Sequence, residues 1–339
     1  MLLVVIISIL FKVVESIGDT SERRLMNDGN WMPSTAFGTY MPDPGNLKYM
    51  TQAVKWAIQA GYRHIDTADL YASEVNIGVA MKDLMKRGIV NRTEMYITTK
   101  LSFSVVTCKE VMQSMQGSLK RLQLQYLDMT LIHTPRNVLN LKNRDYLVIW
   151  KCLEGAKQMG LTRSIGVSNF NATEINRILV NSKTPPAVNQ IETNPTFTHL
   201  ELVAYCQSKG IVVTGYAPFG FLVPRPFNDL ALPPTFDDPI LVGMAEKYCV
   251  DVSQIVLRYL VERHIIPIAA SLDKEHIQSN IDIFDFTLCP EDVLIINEYD
   301  KNIKVHIIDY DGLEEEMLYM YRYLKRFARE NNLKQFRNV

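Results

Sequence analysis

Along most of the chain, short runs rich in apolar residues alternate with longer stretches whose apolar positions recur every three or four residues. The short runs are Thr35–Thr39, Tyr62–Asp66, Met95–Lys100, Leu127–His133, Ser164–Ser168, Ala187–Glu192, Ile211–Tyr216 and Ile265–Ser271, and each predicts a strand. The longer stretches predict helices. Leu47, Met50, Val54, Ala57 and Ile58 mark the first, which Gly61 stops; Ile77, Ala80, Met81 and Leu84 mark the second, which Gly88 stops. Val111, Met112, Met115, Leu119 and Leu122 mark the third. Tyr146, Ile149, Trp150, Leu153 and Ala156 mark the fourth, stopped by Gly160, and weaker patterns continue over 172–180, 199–209, 239–249 and 252–263. Eight strands alternating with eight helices imply parallel strands joined by right-handed crossovers, hence a closed barrel or an open doubly wound sheet. No G-x-G-x-x-G follows the first strand, which weighs against a dinucleotide-binding doubly wound fold.

Three segments break the alternation. Leu2–Phe11 is an unbroken apolar run with one serine, too short to span a bilayer and of the length of a secretory h-region. Ser16, Gly18 and Ser21 follow, so residues 1–18 read as a signal peptide and the mature chain as exported, although the n-region lacks Lys and Arg; the alternatives are a buried N-terminal strand of a cytoplasmic chain and a retained membrane anchor. Pro218–Pro239 is a long Pro- and Phe-rich connection after the seventh strand, of the kind that carries function. In the tail, 301–339, Leu313, Met317, Met320, Leu324 and Phe327 step at three to four residues and predict a helix. The barrel itself is assigned to 27–300.

Composition adds little constraint. The 339 residues are 47% apolar and 22% charged, with a net charge of −1, so nothing calls for nucleic acid or an anionic membrane as partner. A monomer acting on a small molecule is expected. Cys108, Cys152, Cys206, Cys249 and Cys289 are odd in number and widely spaced, and read as buried thiols. Two sequons, Asn91-Arg92-Thr93 and Asn171-Ala172-Thr173, are compatible with export. No His/Cys cluster has metal-ligand spacing.

The chemistry gathers where strands end. Asp66, Lys100 and His133 close three successive strands, and Tyr71 lies five residues beyond Asp66. Each alone has an ordinary structural explanation: an N-cap, a solvated lysine, a core histidine, a pocket-wall aromatic. Together at one end of a barrel they form a plausible site. An ammonium beside a phenol favours the phenolate, so Lys100, held by Asp66, is expected to lower the Tyr71 pKa and make it a proton donor to a carbonyl oxygen. His133 would donate a hydrogen bond to the same oxygen. His64 is read as pointing away from Asp66 and as structural.

The motif Gly61-Tyr62-Arg63-His64-Ile65-Asp66-Thr67-Ala68-x-x-Tyr71-x-x-Glu74-x-x-Ile77-Gly78 resembles a signature of the aldo-keto reductase family, as does Tyr126-Leu127-Asp128-Met129-Thr130-Leu131-Ile132-His133-x-Pro135. The resemblance implies a (β/α)8 TIM barrel, an NADPH-dependent carbonyl reductase, and a catalytic tetrad of Asp66, Tyr71, Lys100 and His133. It also implies cofactor contacts from Gly38 and Thr39, from Asp66, from Ser168, Asn169 and Gln190 on the nicotinamide carboxamide, and from Tyr216 stacked on the nicotinamide ring. In the eighth-strand region it implies Ser271, His276 and Asn280.

This chain departs from the family at two places. Ala270 and His276 stand where lysine and arginine ordinarily meet the cofactor's 2′-phosphate and adenine, which is expected to permit NADH use. On the substrate side Tyr40, Ser102 and Thr134 stand where tryptophans are frequent; two small hydroxyl residues are expected to widen the pocket unless Phe103, Phe219 or Phe221 fills it. Thr214–Phe227 and Pro234–Pro239 are similar to the insect branch of the family, which includes reductases of 3-dehydroecdysteroids. The expected substrate is therefore a bulky oxygenated ketone. Family relatives also serve as channel subunits and lens proteins, so a non-catalytic binding or structural role is the alternative; an intact tetrad argues against it.

Overall fold

The computed structural model describes residues 23–136, 139, 141–142, 144–223 and 232–305. The apolar leader, Arg225-Pro226-Phe227 and the tail helix through Leu313 and Phe327 lie outside the described residues.

Eight parallel strands close into a barrel: β3 (Ala36–Gly38), β4 (His64–Asp66), β5 (Tyr96–Lys100), β6 (Leu127–Ile132), β7 (Thr162–Ser168), β8 (Val188–Glu192), β9 (Val212–Tyr216) and β10 (Ile265–Ala269). They are neighbours in chain order, and β10 closes on β3. Every predicted strand is present; seven are trimmed by one or two residues at an end, and β7 begins two residues earlier than predicted. Helices α1 (Leu47–Ala60), α2 (Glu74–Lys86), α3 (Cys108–Leu122), α4 (Tyr146–Gln158), α5 (Ala172–Asn181), α6 (Leu200–Ser208), α7 (Pro239–Tyr248) and α8 (Val252–Glu262) match the eight predicted ones. Gly61 ends α1 at φ +112°, where its N–H reaches the Ala57 and Ile58 carbonyls.

The core has two parts. One lies between barrel and helices and includes Ile65, Ile97, Trp150, Val167 and Leu257, all nearly inaccessible. The other fills the barrel below the strand ends and comprises Met129, Leu131, Val188, Ile266, Tyr96 and Ala187. Met26 and Met32 enter this inner cluster from a hairpin, β1 (Arg23–Leu25) and β2 (Trp31–Pro33). The hairpin plugs the N-terminal mouth: Lys157 Nζ reaches Asp28 Oδ2 at 2.8 Å and Asn27 Nδ2 donates to the Pro186 carbonyl at 2.8 Å.

That hairpin was not foreseen, because Arg23-Arg24-Leu25 carries one apolar residue and Trp31-Met32-Pro33 ends on a proline, so neither reads as an apolar run. Two eight-residue helices, α9 (Lys274–Ile281) and α10 (Pro290–Asn297), also lie outside the predicted set. The cysteines need correction too. Cys108 and Cys152 form a disulfide joining α3 to α4 across 44 residues, with Cα atoms 5.0 Å apart. Cys206 is a buried thiol, whereas Cys249 is exposed and Cys289 half-buried. Wide sequence spacing hid the pair, because helix packing rather than the chain brings the two cysteines together. Among the described residues no helix is long and apolar enough to cross a membrane, and no group of three or more His, Cys, Asp or Glu is placed to hold a metal ion.

Candidate active site

Asp66 and Lys100 are the last residues of β4 and β5, and His133 follows β6 directly. The register aligns Asp66 with Thr98 and Lys100 with Leu131, so these side chains rise on adjacent staves at one end of the barrel. Tyr71 closes a 3-10 turn, Asp69–Tyr71, that leaves β4 toward α2.

Lys100 is 1% exposed, and its Nζ donates to Asp66 Oδ1 at 2.6 Å and to the Thr67 carbonyl at 3.2 Å. The other carboxylate oxygen of Asp66 accepts from Gln190 Nε2 at 2.7 Å. The acid is thus clamped from both sides, and Gln190 has a role at the ion pair beyond the one inferred for it. Backbone around Asp66 is pinned by hydroxyls: Thr39 Oγ1 donates to the Asp66 carbonyl at 2.9 Å, and Ser73 Oγ lies 2.9 Å from both Thr39 Oγ1 and Thr67 Oγ1. At Gly38 a Cβ would stand 3.0 Å from Ile268 Cγ2, so glycine suits the close approach of β3 and β10.

The Lys100 ammonium lies 4.7 Å from the centre of the Tyr71 ring, and that ring stands edge-on to His133 at 5.7 Å. Tyr40 leans on the other side of Tyr71, with centroids 5.1 Å apart. Burial disfavours charge on Lys100, but Asp66 and Tyr71 outweigh it and hold the ammonium above its ordinary pKa. The expected lowering of Tyr71 is not the net result. Burial raises its pKa, Asp66 adds to that, and Lys100 only partly opposes it. The phenol is therefore protonated at neutral pH, and the ammonium beside it favours the phenolate that remains once the proton leaves. Burial, with Lys100 adding to it, holds His133 well below the usual imidazole range, so its ring is neutral. A buried Nδ1 on that ring has no hydrogen-bond partner among the described residues.

The reading of His64 was wrong in geometry. Residues two apart in a strand share a face, so His64 lies inside the barrel beneath Asp66. There its Nε2 meets Thr98 Oγ1 at 2.8 Å, and burial, with Lys100 adding, pushes its pKa down to about 3. It is a neutral floor to the site.

A second buried network supports the turn that carries Tyr71. Glu74 accepts from Thr99 Oγ1 at 2.8 Å and from Arg121 Nε at 2.6 Å, and Arg121 reaches on to Asp69. Burial pushes Asp69 up to about 6, with Arg121 opposing and Glu74 reinforcing. At Gly78 a Cβ would meet the Arg121 carbonyl at 2.7 Å, so α2 and α3 pack in direct backbone contact there. Glu74 and Gly78 were legible as motif positions; Arg121, forty-seven residues from Glu74, was not.

The pocket wall differs from the widened one expected. Phe103 stacks on His133 with centroids 4.7 Å apart and planes 27° from parallel. Thr134 is only 1% exposed, and its hydroxyl accepts from the Arg136 N–H at 3.3 Å. Ser102 is half-buried, with its hydroxyl 2.9 Å from Ser104 Oγ. Phe103 thus occupies part of the space that the small residues open. Phe219 is buried against Phe236, away from His133 in its ring contacts. After α10 the chain returns to the site end of the barrel, where the Val305 N–H donates to Glu192 Oε1 at 2.6 Å.

The inferred carboxamide group also assembles. Ser168 Oγ donates to the Gln190 carbonyl at 2.9 Å, Asn169 Nδ2 donates to the His133 carbonyl at 3.0 Å, and Tyr216 OH donates to Asn169 Oδ1 at 2.8 Å. Asn169 holds φ +63°, a conformation that asparagine tolerates better than most residues. Ser271, Asp273 and His276 lie together at the start of α9: the Asp273 N–H reaches Ser271 Oγ at 3.0 Å, and the carboxylate of Asp273 caps the Glu275 and His276 N–H groups. Asn280 is buried on the same helix.

The model of the Aldo/keto reductase family matches residues 35–301. This chain belongs to the aldo/keto reductase family. Aldo-keto reductase AKR2E4 of Bombyx mori is 47% identical over 286 residues, covering 83% of this chain and 92% of that protein. Its crystal structure in complex with NADP superposes with a TM-score of 0.82 at 45% identity, over 86% of this chain and 97% of that one. A second solved aldo-keto reductase, AKR2E5 complexed with NADPH, has a TM-score of 0.83 at 34% identity, over 87% of this chain and 92% of that one.

Proposed function

We propose that this aldo/keto reductase is an NADPH-dependent carbonyl reductase in which Tyr71 is the proton donor. The observation that carries the reading is the buried chain Gln190–Asp66–Lys100–Tyr71, with a 2.7 Å hydrogen bond, a 2.6 Å ion pair and an ammonium 4.7 Å from the phenol ring. Ser168, Asn169, Gln190 and Tyr216 fit a nicotinamide carboxamide and ring: buried Ser168 and Gln190 are tied to each other, and half-buried Asn169 and Tyr216 to each other, at the strand ends. When bound, the reduced nicotinamide supplies the hydride. Tyr71 gives its proton to the carbonyl oxygen as negative charge develops there, and Lys100 compensates the phenolate left behind. Neutral His133 orients the same oxygen as a hydrogen-bond donor. Gly38 and Thr39, at the end of β3, would contact the cofactor when it is bound.

At the adenosine end, Ser271, His276 and Asn280 are the groups placed to meet the cofactor. Asp273 already occupies the N–H groups that open α9, and Ala270 offers no charge. An acid and an alanine at this position support weakened discrimination against NADH. Exposed Lys274 is the cation that stands at that helix start. For substrate we infer a bulky oxygenated ketone, such as a 3-dehydroecdysteroid, bordered by Tyr40, Ser102, Phe103 and Thr134. The enzyme is inferred to act as an exported monomer, in keeping with the apolar leader Leu2–Phe11.

Oxidation of NADPH and of NADH by the purified chain, against a panel running from small aldehydes to steroid-sized ketones, tests this. Turnover of the large ketones with either cofactor is expected. Turnover of small aldehydes alone would remove the substrate assignment, and no turnover with any pair would favour a binding role.

A further inference from the structure

Two asparagines stand apart from the site. Asn91 and Asn171 each head a helical turn as its N-cap, with extended backbone at φ −105° and −86°. Both are exposed, and so are Thr93 and Thr173, the hydroxyl residues two positions on. At Asn171 the capping bond uses the carboxamide oxygen: Oδ1 accepts the Glu174 N–H at 2.9 Å. Glu174 in turn holds the Asn171 N–H at 2.8 Å, and the Asn171 Nδ2 donates to nothing among the described residues. At the other site the Asn91 N–H donates to Glu94 Oε2 at 2.6 Å, and the Glu94 N–H donates to the main-chain carbonyl of Asn91 at 3.1 Å. A group attached at Nδ2 therefore leaves both caps intact. The contrast lies in Asn194-Pro195-Thr196, where proline interrupts the triplet, the asparagine is fully buried and its oxygen caps Thr196.

The Cys108–Cys152 disulfide is a second and independent observation. Disulfides of this kind persist in the oxidising compartments through which exported chains pass, the same compartments that add asparagine-linked sugars.

We propose that Asn91 and Asn171 are N-glycan acceptor sites, used as the chain is exported. The donor class is a lipid-linked oligosaccharyl diphosphate. The Asn Nδ2–C1 bond forms as the C1–O bond breaks, the diphosphate departs with the electron pair, and one amide proton is lost; nothing is oxidised or reduced. The glycans then project from two helix starts, and the oxygens that cap those helices are untouched.

The test uses the full chain from residue 1, made in cultured mammalian cells and collected from both medium and cell lysate. Peptide N-glycosidase F in heavy-oxygen water should shift its mobility by two glycan steps and convert both asparagines to labelled aspartates. Thr93→Ala and Thr173→Ala should each remove one step, and the double variant both, with Asn91 and Asn171 still in place as caps. Wild-type chain without a shift, in medium or in lysate, overturns the proposal; label at a single site overturns it for the other.

Discussion

At the level of single residues, the site works through opposed forces on a few buried groups. Tyr71 is protonated because burial outweighs Lys100, and its proton is transferable because Lys100 is there to meet the phenolate. Lys100 itself stays charged because Asp66, at 2.6 Å, and Tyr71 together outweigh its burial. Lys100→Met leaves Asp66 buried with only Gln190 and its neighbours, and removing one partner of such a pair costs about 3–5 kcal/mol. Urea denaturation should show a loss of that order together with loss of turnover. The imidazoles set the acid side of stability. His64 titrates near 3 in the fold and near its ordinary value when unfolded. Between those values the unfolded chain binds the extra proton, so stability falls as pH drops below about 6.5, with a slope approaching 1.4 kcal/mol per unit for each such group. His133 adds in the same direction. Asp69, raised to about 6, opposes them below that pH. Denaturation midpoints should decline from pH 7 to pH 6, where the imidazoles act with least opposition; no decline there would contradict neutral rings in the fold. Asp66, Lys100 and His133 were legible from their strand-end positions, and Tyr71 from its place five residues beyond Asp66. The direction of the Tyr71 shift was not, because burial depth cannot be read from spacing, and the face of His64 was misread although a period of two would have placed it.

At the level of elements, the strands and the first eight helices were legible because each repeats its pattern over several residues. The eight-residue helices α9 and α10 were not, being too short for a pattern to declare itself, nor was the β1–β2 hairpin, whose strands hold no apolar run. The α3–α4 disulfide is the element-scale feature with the largest expected effect. Closing 44 residues restricts the unfolded chain by about 4 kcal/mol in the chain-entropy account. Cys108→Ser with Cys152→Ser should lower stability by about 2–4 kcal/mol, read as a lower urea midpoint, with the slope rising as the unfolded chain expands. An unchanged midpoint, or unpaired thiols on alkylation of the native chain, would contradict the pairing. The start of α9 carries the cofactor prediction. Ala270→Lys with His276→Arg should raise the NADPH/NADH ratio of kcat/KM by about tenfold or more, since one charge-assisted hydrogen bond is worth roughly 1.5–3 kcal/mol.

At the level of the whole molecule, one architecture explains why residues from Thr39 to Tyr216 meet at one place. A closed barrel brings every strand end to the same mouth, so β3, β4, β5, β6, β7, β8 and β9 each deliver at least one side chain to a common volume. Alternation alone left an open sheet in contention, because strand order is a long-range property; the pairing of β10 with β3 closes the question. The pocket wall was least legible, since Phe103 against His133 depends on the path of a loop. The account as a whole rests on Tyr71 giving up its proton. Its most direct test is the initial rate of NADPH oxidation by wild type and by Tyr71→Phe with the same ketone, alongside fluorescence titration of NADPH binding to both. A loss of about 10²-fold or more in kcat with cofactor affinity unchanged is the predicted result. Turnover that survives the substitution would contradict it.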